Sequence, residues 1–348
     1  MGETATAHFL IESRGASRTF DAFVVGARFD RASGQLGFAL GDGTLRLVDP
    51  VALDAPWRET PVHGGAILAF SADPVAGFVT GGDDGRLCRT ALDGTVRTLA
   101  EAGRKWVEQV ATHPGEKGGL IAGAVGKTVL LFDATGAKLK ELAHPSSVTG
   151  IAFDAKGKRI ACSHYNGASL WFVAARSDNP PRILEWKGSH IGIALHPEGE
   201  AVVTAMQENA LHGWSLPEGK HMRMSGYPGK TESLSFSRTG KWLATSGADA
   251  MVLWPFFGGG PMGKAPMELA GGDGVLCTRV ACHPREEIVA GGFADGLVVL
   301  ADVNSSRILP IAPPGHGPVS ALAWNATGSH LAIGTEQGFA AVVDLSRR

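Results

Sequence analysis

Residues 147–174 read S-V-T-G-I-A-F-D, then K-R-I-A-C-S-H-Y-N-G from Lys158, then A-S-L-W-F-V-A from Ala168. The stretch is an apolar run ending in a turn, a second run rich in small residues, a tight Asn-Gly turn and a third apolar run. Alternating or continuous apolar runs of this length, bounded by turn residues, are strand signals. Residues 232–257 repeat the order as E-S-L-S-F-S, W-L-A-T-S-G-A-D-A and M-V-L-W-P-F-F.

The turn between the second and third strands marks the period. It falls at Asp42, Asp84, Gly126, Asn166, Asn209, Asp249, Asp295 and Gln337, so successive intervals are 42, 42, 40, 43, 40, 46 and 42 residues. A fixed period of about 42 residues with room for four short strands is the blade unit of a β-propeller. A parallel α/β design needs a crossover of a dozen or more residues, and the gaps are too short for one. The expected fold is all-β: a single closed propeller over residues 1–348, with eight four-stranded blades, or seven if one unit packs irregularly. The eighth unit has only three strands before the chain stops. Residues 8–20, with H-F-L-I-E-S, are expected to supply the missing outer strand and so remove an exposed edge.

Composition fits many short strands and tight turns, with 48 glycines in 348 residues and 19% charged residues. A net charge of −2 gives no electrostatic case for nucleic acid or an anionic membrane. The N-terminus lacks a basic and apolar signal pattern, and no apolar run approaches 18 residues. A cytoplasmic protein that does not enter membranes is expected. A closed propeller has no structural need to dimerise, so a monomer is expected too.

Particular residues now carry a family resemblance. Trp171, Trp214 and Trp254 stand five residues after the turn in three units. Asp49, Asp133, Asp302 and Asp344 stand seven residues after it in four others, and His63, His144, His190 and His316 precede first strands. Together they resemble the WD40 repeat, over nearly the whole chain, although no unit keeps the full Trp-Asp pair. The resemblance implies hydrogen bonds within a unit, among His144, Ser163, Asn166 and Trp171 in the fourth and among Ser246, Asp249 and Trp254 in the sixth. It also implies a non-catalytic scaffold that binds one or more proteins through loops.

On that reading the loops before the first strand and after the second converge on one face. They carry Arg104, Lys105, Trp106, His164, Tyr165, Lys187, Gln207, Lys230, Phe293 and Glu336. Trp, Tyr, Arg and Phe are the usual interface anchors, though any one of them reads equally as a solvated loop residue.

The long interval isolates residues 255–266, P-F-F-G-G-G-P-M-G-K-A-P. Residues 258–265 miss the P-loop pattern, whose last position must be Ser or Thr to reach Mg²⁺, and no helix follows to face a phosphate. The plain reading is a lengthened hairpin. Phe256, Phe257 and Met262 in a Gly/Pro loop are the alternative, an exposed apolar contact site.

Cys88, Cys162, Cys277 and Cys282 lie in strands without metal or redox spacing, as small buried residues do. His113-Pro, His196-Pro and His283-Pro occupy equivalent places after first strands, as turn chemistry rather than a three-histidine metal site. No catalytic, metal-binding or cofactor-binding residues are assigned. Two other function classes stay open. A quinoprotein-like or lactonase-like propeller enzyme has only a faint echo at Phe132–Leu142 and would need channel carboxylates. A small-ligand or nucleic-acid binder would act through the loop face.

Overall fold

The middle strands of each unit are covered on both sides, and this explains their small, continuously apolar sequences. Leu36–Leu40, Phe78–Gly82 and Ala201–Met206 are buried at every position, as strands between two packed layers are. Outermost strands keep the alternation, as in His221–Met224, where Met222 and Met224 turn inward. The computed structural model describes residues 8–115, 119–176, 179–272 and 274–346.

The strands form antiparallel meanders. The first unit runs Val24–Phe29, Leu36–Leu40, Thr44–Val48 and Arg58–Pro61 in spatial as well as chain order. Innermost strands neighbour one another around a ring. After Val24–Phe29 come Ile67–Ala72, Gln109–His113, Gly150–Phe153 and the second half of Arg182–Leu195. Leu234–Phe236, Cys277–Cys282 and Val319–Trp324 follow, and the last lies against Val24–Phe29. The apolar core is therefore a series of layers between neighbouring sheets. One layer joins Phe29, Leu36 and Phe38 of the first unit to Ala321, Ala332 and Val342 of the last. Gly37 shows how close the layers come, because a Cβ there would sit 2.8 Å from the Phe78 ring.

The expectation of eight four-stranded blades is corrected to seven, the alternative reading: the strands form seven sheets, six of four strands and one of six. The irregularity lies in units four and five, which share the six-stranded sheet. Its 14-residue strand Arg159–Phe172 would span about 45 Å if straight. Instead Val173 N–H donates to Lys158 O at 2.9 Å, so the chain doubles back at Asn166 and Gly167, both with positive φ. Arg182–Leu195 then pairs with Gly167–Leu170 through its first half and with Ala201–Met206 through its second, bending at Gly188.

The ring closes through the N-terminal segment. Gly15–Thr19 pairs antiparallel with Phe339–Asp344, from Gly15 opposite Val343 to Thr19 opposite Phe339. The H-F-L-I-E-S part of that segment is not strand. Leu10–Arg14 forms a short helix, with Leu10 and Ile11 packed on the last core layer and Arg14 donating to Ser346 O.

A residue at or just after the end of these innermost strands carries a side-chain acceptor that caps the following turn. Asp30 accepts from Ser33 N–H, Asp73 from Val75, Asp154 from Arg159 and Asn325 from His330. His113, His196 and His283 do the same through Nδ1, taking Gly115, Glu198 and Arg285 N–H. Nδ1 is then the acceptor and Nε2 carries the proton. Each Nε2–H donates to the next unit, to Ala155 O, Gly240 O and Gly328 O at 3.1, 3.0 and 3.1 Å. The three histidines are latches between sheets.

Candidate partner-binding surfaces

A meander has two ends. Turns between second and third strands, and the connections into first strands, lie at one end. First-to-second and third-to-fourth turns lie at the other. The sequence-selected residues thus divide between opposite faces, with Trp106 and Tyr165 on one and the 255–266 loop on the other.

On the first face, Trp106 projects from a loop tied at both ends. Ala102 N–H donates to Gly85 O, Val107 N–H to Gly82 O, and Val107 itself is buried. The Trp106 side chain is left 55% exposed and Tyr165 57% exposed. Tyr165 sits on the tight turn, its N–H donating to Ser146 Oγ. Arg104, Lys105, Gln207, Lys230 and Glu336 are exposed on loops of the same end, and Lys187 is exposed within the strand Arg182–Leu195 beside its bend at Gly188.

Two expected members do not face solvent. His164 is buried, its Nδ1–H donating to Tyr165 O and its Nε2 accepting from Ser169 Oγ at 2.8 Å. It holds the turn that presents Tyr165. Phe293 is 3% exposed and packs in the layer with Cys277 and Leu253, because its strand, Ile288–Phe293, extends through it. Three exposed aromatics were not singled out from sequence: Phe23, Phe172 and Trp186. Phe23 stands just before the first inner strand, on this same face, and only a systematic scan of pre-strand positions would have found it. Trp186 stacks on His212 at 3.9 Å between units four and five.

Inside the sheets several buried polar groups are paired, as burial favours, while others such as His144 Nδ1 and His212 Nδ1 find no partner among the described residues. His63 Nδ1–H donates to Asp84 at 2.9 Å and its Nε2 accepts from Thr80 at 2.8 Å. Burial alone would raise the Asp84 carboxyl, but hydrogen bonds from His63, Arg86 N–H and Gly64 N–H hold it below the usual range. In unit four, Trp171 Nε1–H donates to His144 Nε2, while Ser163 pairs with Thr149 and Asn166 accepts from Gly188 N–H. The expected four-residue group is therefore only half assembled. Burial, and then the nearby His164, push the His144 imidazole down to about 4. In unit six Tyr227 fills the place of the missing histidine. Trp254 Nε1–H donates to its oxygen, its hydroxyl donates to Thr245, and Thr245 donates to Val252 O.

The central channel holds about 790 Å³ and is lined mainly by small and apolar residues with Arg28, Gln109, Glu232 and Arg279. Glu232 is the one carboxylate in that lining among the described residues, and Arg279 pairs with it at 2.8 Å. Burial pushes the Cys277 and Cys282 thiols up to about 12 and that of Cys162 upward too, so they stay protonated and unreactive at neutral pH. Among the described residues no cluster of three His, Cys, Asp or Glu is arranged to hold a metal. No helix among them is long and apolar enough to cross a membrane.

On the opposite face the 255–266 loop joins strands Met251–Pro255 and Met267–Leu269. Phe256 is buried, correcting its expected exposure, and packs edge-on against Phe236 at 5.0 Å. Phe257 stays 45% exposed and Met262 54% exposed. Trp242 supports the Phe257 ring edge-on at 5.3 Å, and Lys264 Nζ sits 4.8 Å from its centroid. The loop walls a cleft of about 690 Å³ between units five and six.

No protein-family model matches the chain. It is similar to telomerase protein component 1 of Mus musculus, 24% identical over 73% of this chain but only 10% of that protein. It is also similar to THO complex subunit 3 of Arabidopsis thaliana, 22% identical over 63% of this chain and 70% of that one. The serine-threonine kinase receptor-associated protein of Bos taurus is 28% identical over 38% of this chain and 39% of its own length. Among solved structures, the computationally designed Ika8 protein superimposes with a TM-score of 0.75 at 18% identity, covering 94% of this chain and 98% of that one. The strand pairing that closes the ring, the His63–Asp84–Thr80 and Trp171–His144 contacts and the repeat period together place the chain among the WD40-type β-propeller proteins.

Proposed function

We propose that this protein is a non-catalytic scaffold that docks a partner protein on the face bearing Trp106 and Tyr165. The observation that carries this reading is the exposure of two large aromatics on short, hydrogen-bonded loops. Such side chains lose little entropy on binding and dominate interface energies. Arg104 and Lys105 adjoin Trp106 in the chain and Lys187 lies on the same end, which favours an acidic partner surface and faster encounter with it. Two of the similar proteins are by name a complex subunit and a receptor-associated protein, in keeping with a protein partner.

The test is affinity capture from the native host, compared between the parent protein and the double variant Trp106→Ala, Tyr165→Ala. Loss of one or more captured proteins, restored by neither high protein concentration nor longer incubation, is the expected result. Unchanged capture by a variant that melts like the parent overturns this choice of face.

A further inference from the structure

The cleft beside the 255–266 loop lies on the face opposite Trp106, and its lining points to a ligand class. One part is apolar: Phe257 and Met262 are half-exposed, with Met222 behind them. The charged and titratable lining mixes Glu198, Glu200 and Glu218 with Lys220, Lys241, His196 and His221. Lys220 is taken by Glu218 at 2.7 Å. Among the described residues the carboxylates of Glu198 and Glu200 accept no hydrogen bond and join no ion pair, so both are available to a ligand in the cleft.

The loop itself illustrates what the cleft recognises. Lys264 places its ammonium over the Phe257 ring and donates to the Phe257 and Gly258 carbonyls. The loop thus satisfies its own aromatic face and carbonyls with Lys264, an arrangement that shows how a cation sits on this ring. The cleft is also bordered by His221–Met224, the last strand of its sheet, which has no strand beyond it. An extended peptide can lie along such an edge and place alternate side chains into adjoining pockets. The volume, about 690 Å³, falls in the range of ligand sites, roughly 300–1,000 Å³.

We propose that this cleft binds an extended peptide segment in which a bulky apolar residue is flanked by lysine or arginine. The apolar residue packs on Phe257 and Met262, and the flanking cation pairs with Glu198 or Glu200. The site is independent of the Trp106 face. A protein with both can hold two partners at once, one on each end of the propeller.

The test uses the full chain and fluorescein-labelled peptides of sequence Gly-Ser-Lys-Phe-Lys-Ser-Gly, with Glu-Phe-Glu and Lys-Ser-Lys versions as controls, read by fluorescence polarisation. The Lys-Phe-Lys peptide is expected to bind at least about tenfold more tightly than either control, a gap of about 1.4 kcal/mol. Glu198→Gln with Glu200→Gln should erase most of the preference over the Glu-Phe-Glu peptide. Phe257→Ser with Met262→Ser should weaken binding severalfold while the melting temperature stays near that of the parent. Binding should survive Trp106→Ala with Tyr165→Ala, so failure at one face is distinguishable from failure at the other. Equal affinity for all three peptides, no binding at millimolar concentration, or parental binding by the Phe257, Met262 variant overturns the proposal.

Discussion

His283 donates from Nε2 to the carbonyl oxygen of Gly328, 3.1 Å away in the next repeat unit. The same imidazole lies edge-on to Trp324 at 4.7 Å and accepts two turn N–H groups at Nδ1. Removing it leaves buried partners unsatisfied, at about 1–3 kcal/mol for each buried group. His283→Ala should lower unfolding free energy by about 2–3 kcal/mol in a urea titration, whereas His8→Ala, at a fully exposed side chain, should be neutral. Gly328→Ala should cost at least as much. Its backbone has φ +78 and a Cβ would fall 1.8 Å from the imidazole, where only glycine is at ease. Parental stability of His283→Ala would show that the latch adds nothing.

Tyr227 relays one hydrogen bond from Trp254 to Thr245 within the sheet. Tyr227→Phe keeps the ring but strands the Trp254 N–H in a buried site. A loss of about 1–3 kcal/mol is expected. Tyr227→His, which restores the residue type found at His144, should recover part of it. Thermal melts of the two variants side by side decide the point.

Acid should destabilise the fold in a definite window. His144 and His212 are held down to about 4 and about 3, both chiefly by burial. The unfolded chain binds these protons near pH 6.5 and the folded chain does not, so stability is full above that pH and declines as pH falls toward 4. Each group contributes a slope of about 1.4 kcal/mol per pH unit where only the unfolded state is protonated. His144→Gln should remove about one such increment near pH 5, read from urea midpoints across pH. An unaltered slope would count against a neutral, buried His144.

Deleting residues 1–20 removes both the closing strand and the helix that packs on the last core layer. The strand Phe339–Asp344, buried at five of its six positions, would then present an open apolar edge. Self-association in sedimentation velocity and a melting temperature several degrees lower are expected. A monomer that melts like the parent would leave the closing strand without a role in stability.

The propeller was legible in the sequence because eight copies of one pattern average out local noise, and the closing strand followed from counting. Departures came where one residue's environment overrode the pattern. Units four and five were expected as separate sheets, but the tight turn at Asn166 and the bend at Gly188 leave strand pairing unbroken between them. Leu10–Arg14 coils because its apolar residues dock on a core layer rather than along an edge. Tyr227 was invisible as a histidine substitute, since only the folded chain shows that its hydroxyl meets Trp254. Of the candidate surface residues, Trp106 and Tyr165 are exposed, Phe293 is buried, and Phe256 follows the packing reading of its loop rather than the contact reading. A turn-adjacent phenylalanine gives no sign of which side of the backbone faces the neighbouring sheet.

The pairing of Gly15–Thr19 with Phe339–Asp344 sets a clock on biosynthesis. The first strand leaves the ribosome early, yet its partner emerges about 320 residues later. At 5–20 residues per second, that is on the order of 15 to 60 s of translation. Throughout that interval the nascent chain carries an unmated strand and an unsealed ring, and the ring can be sealed only once Phe339–Asp344 has emerged.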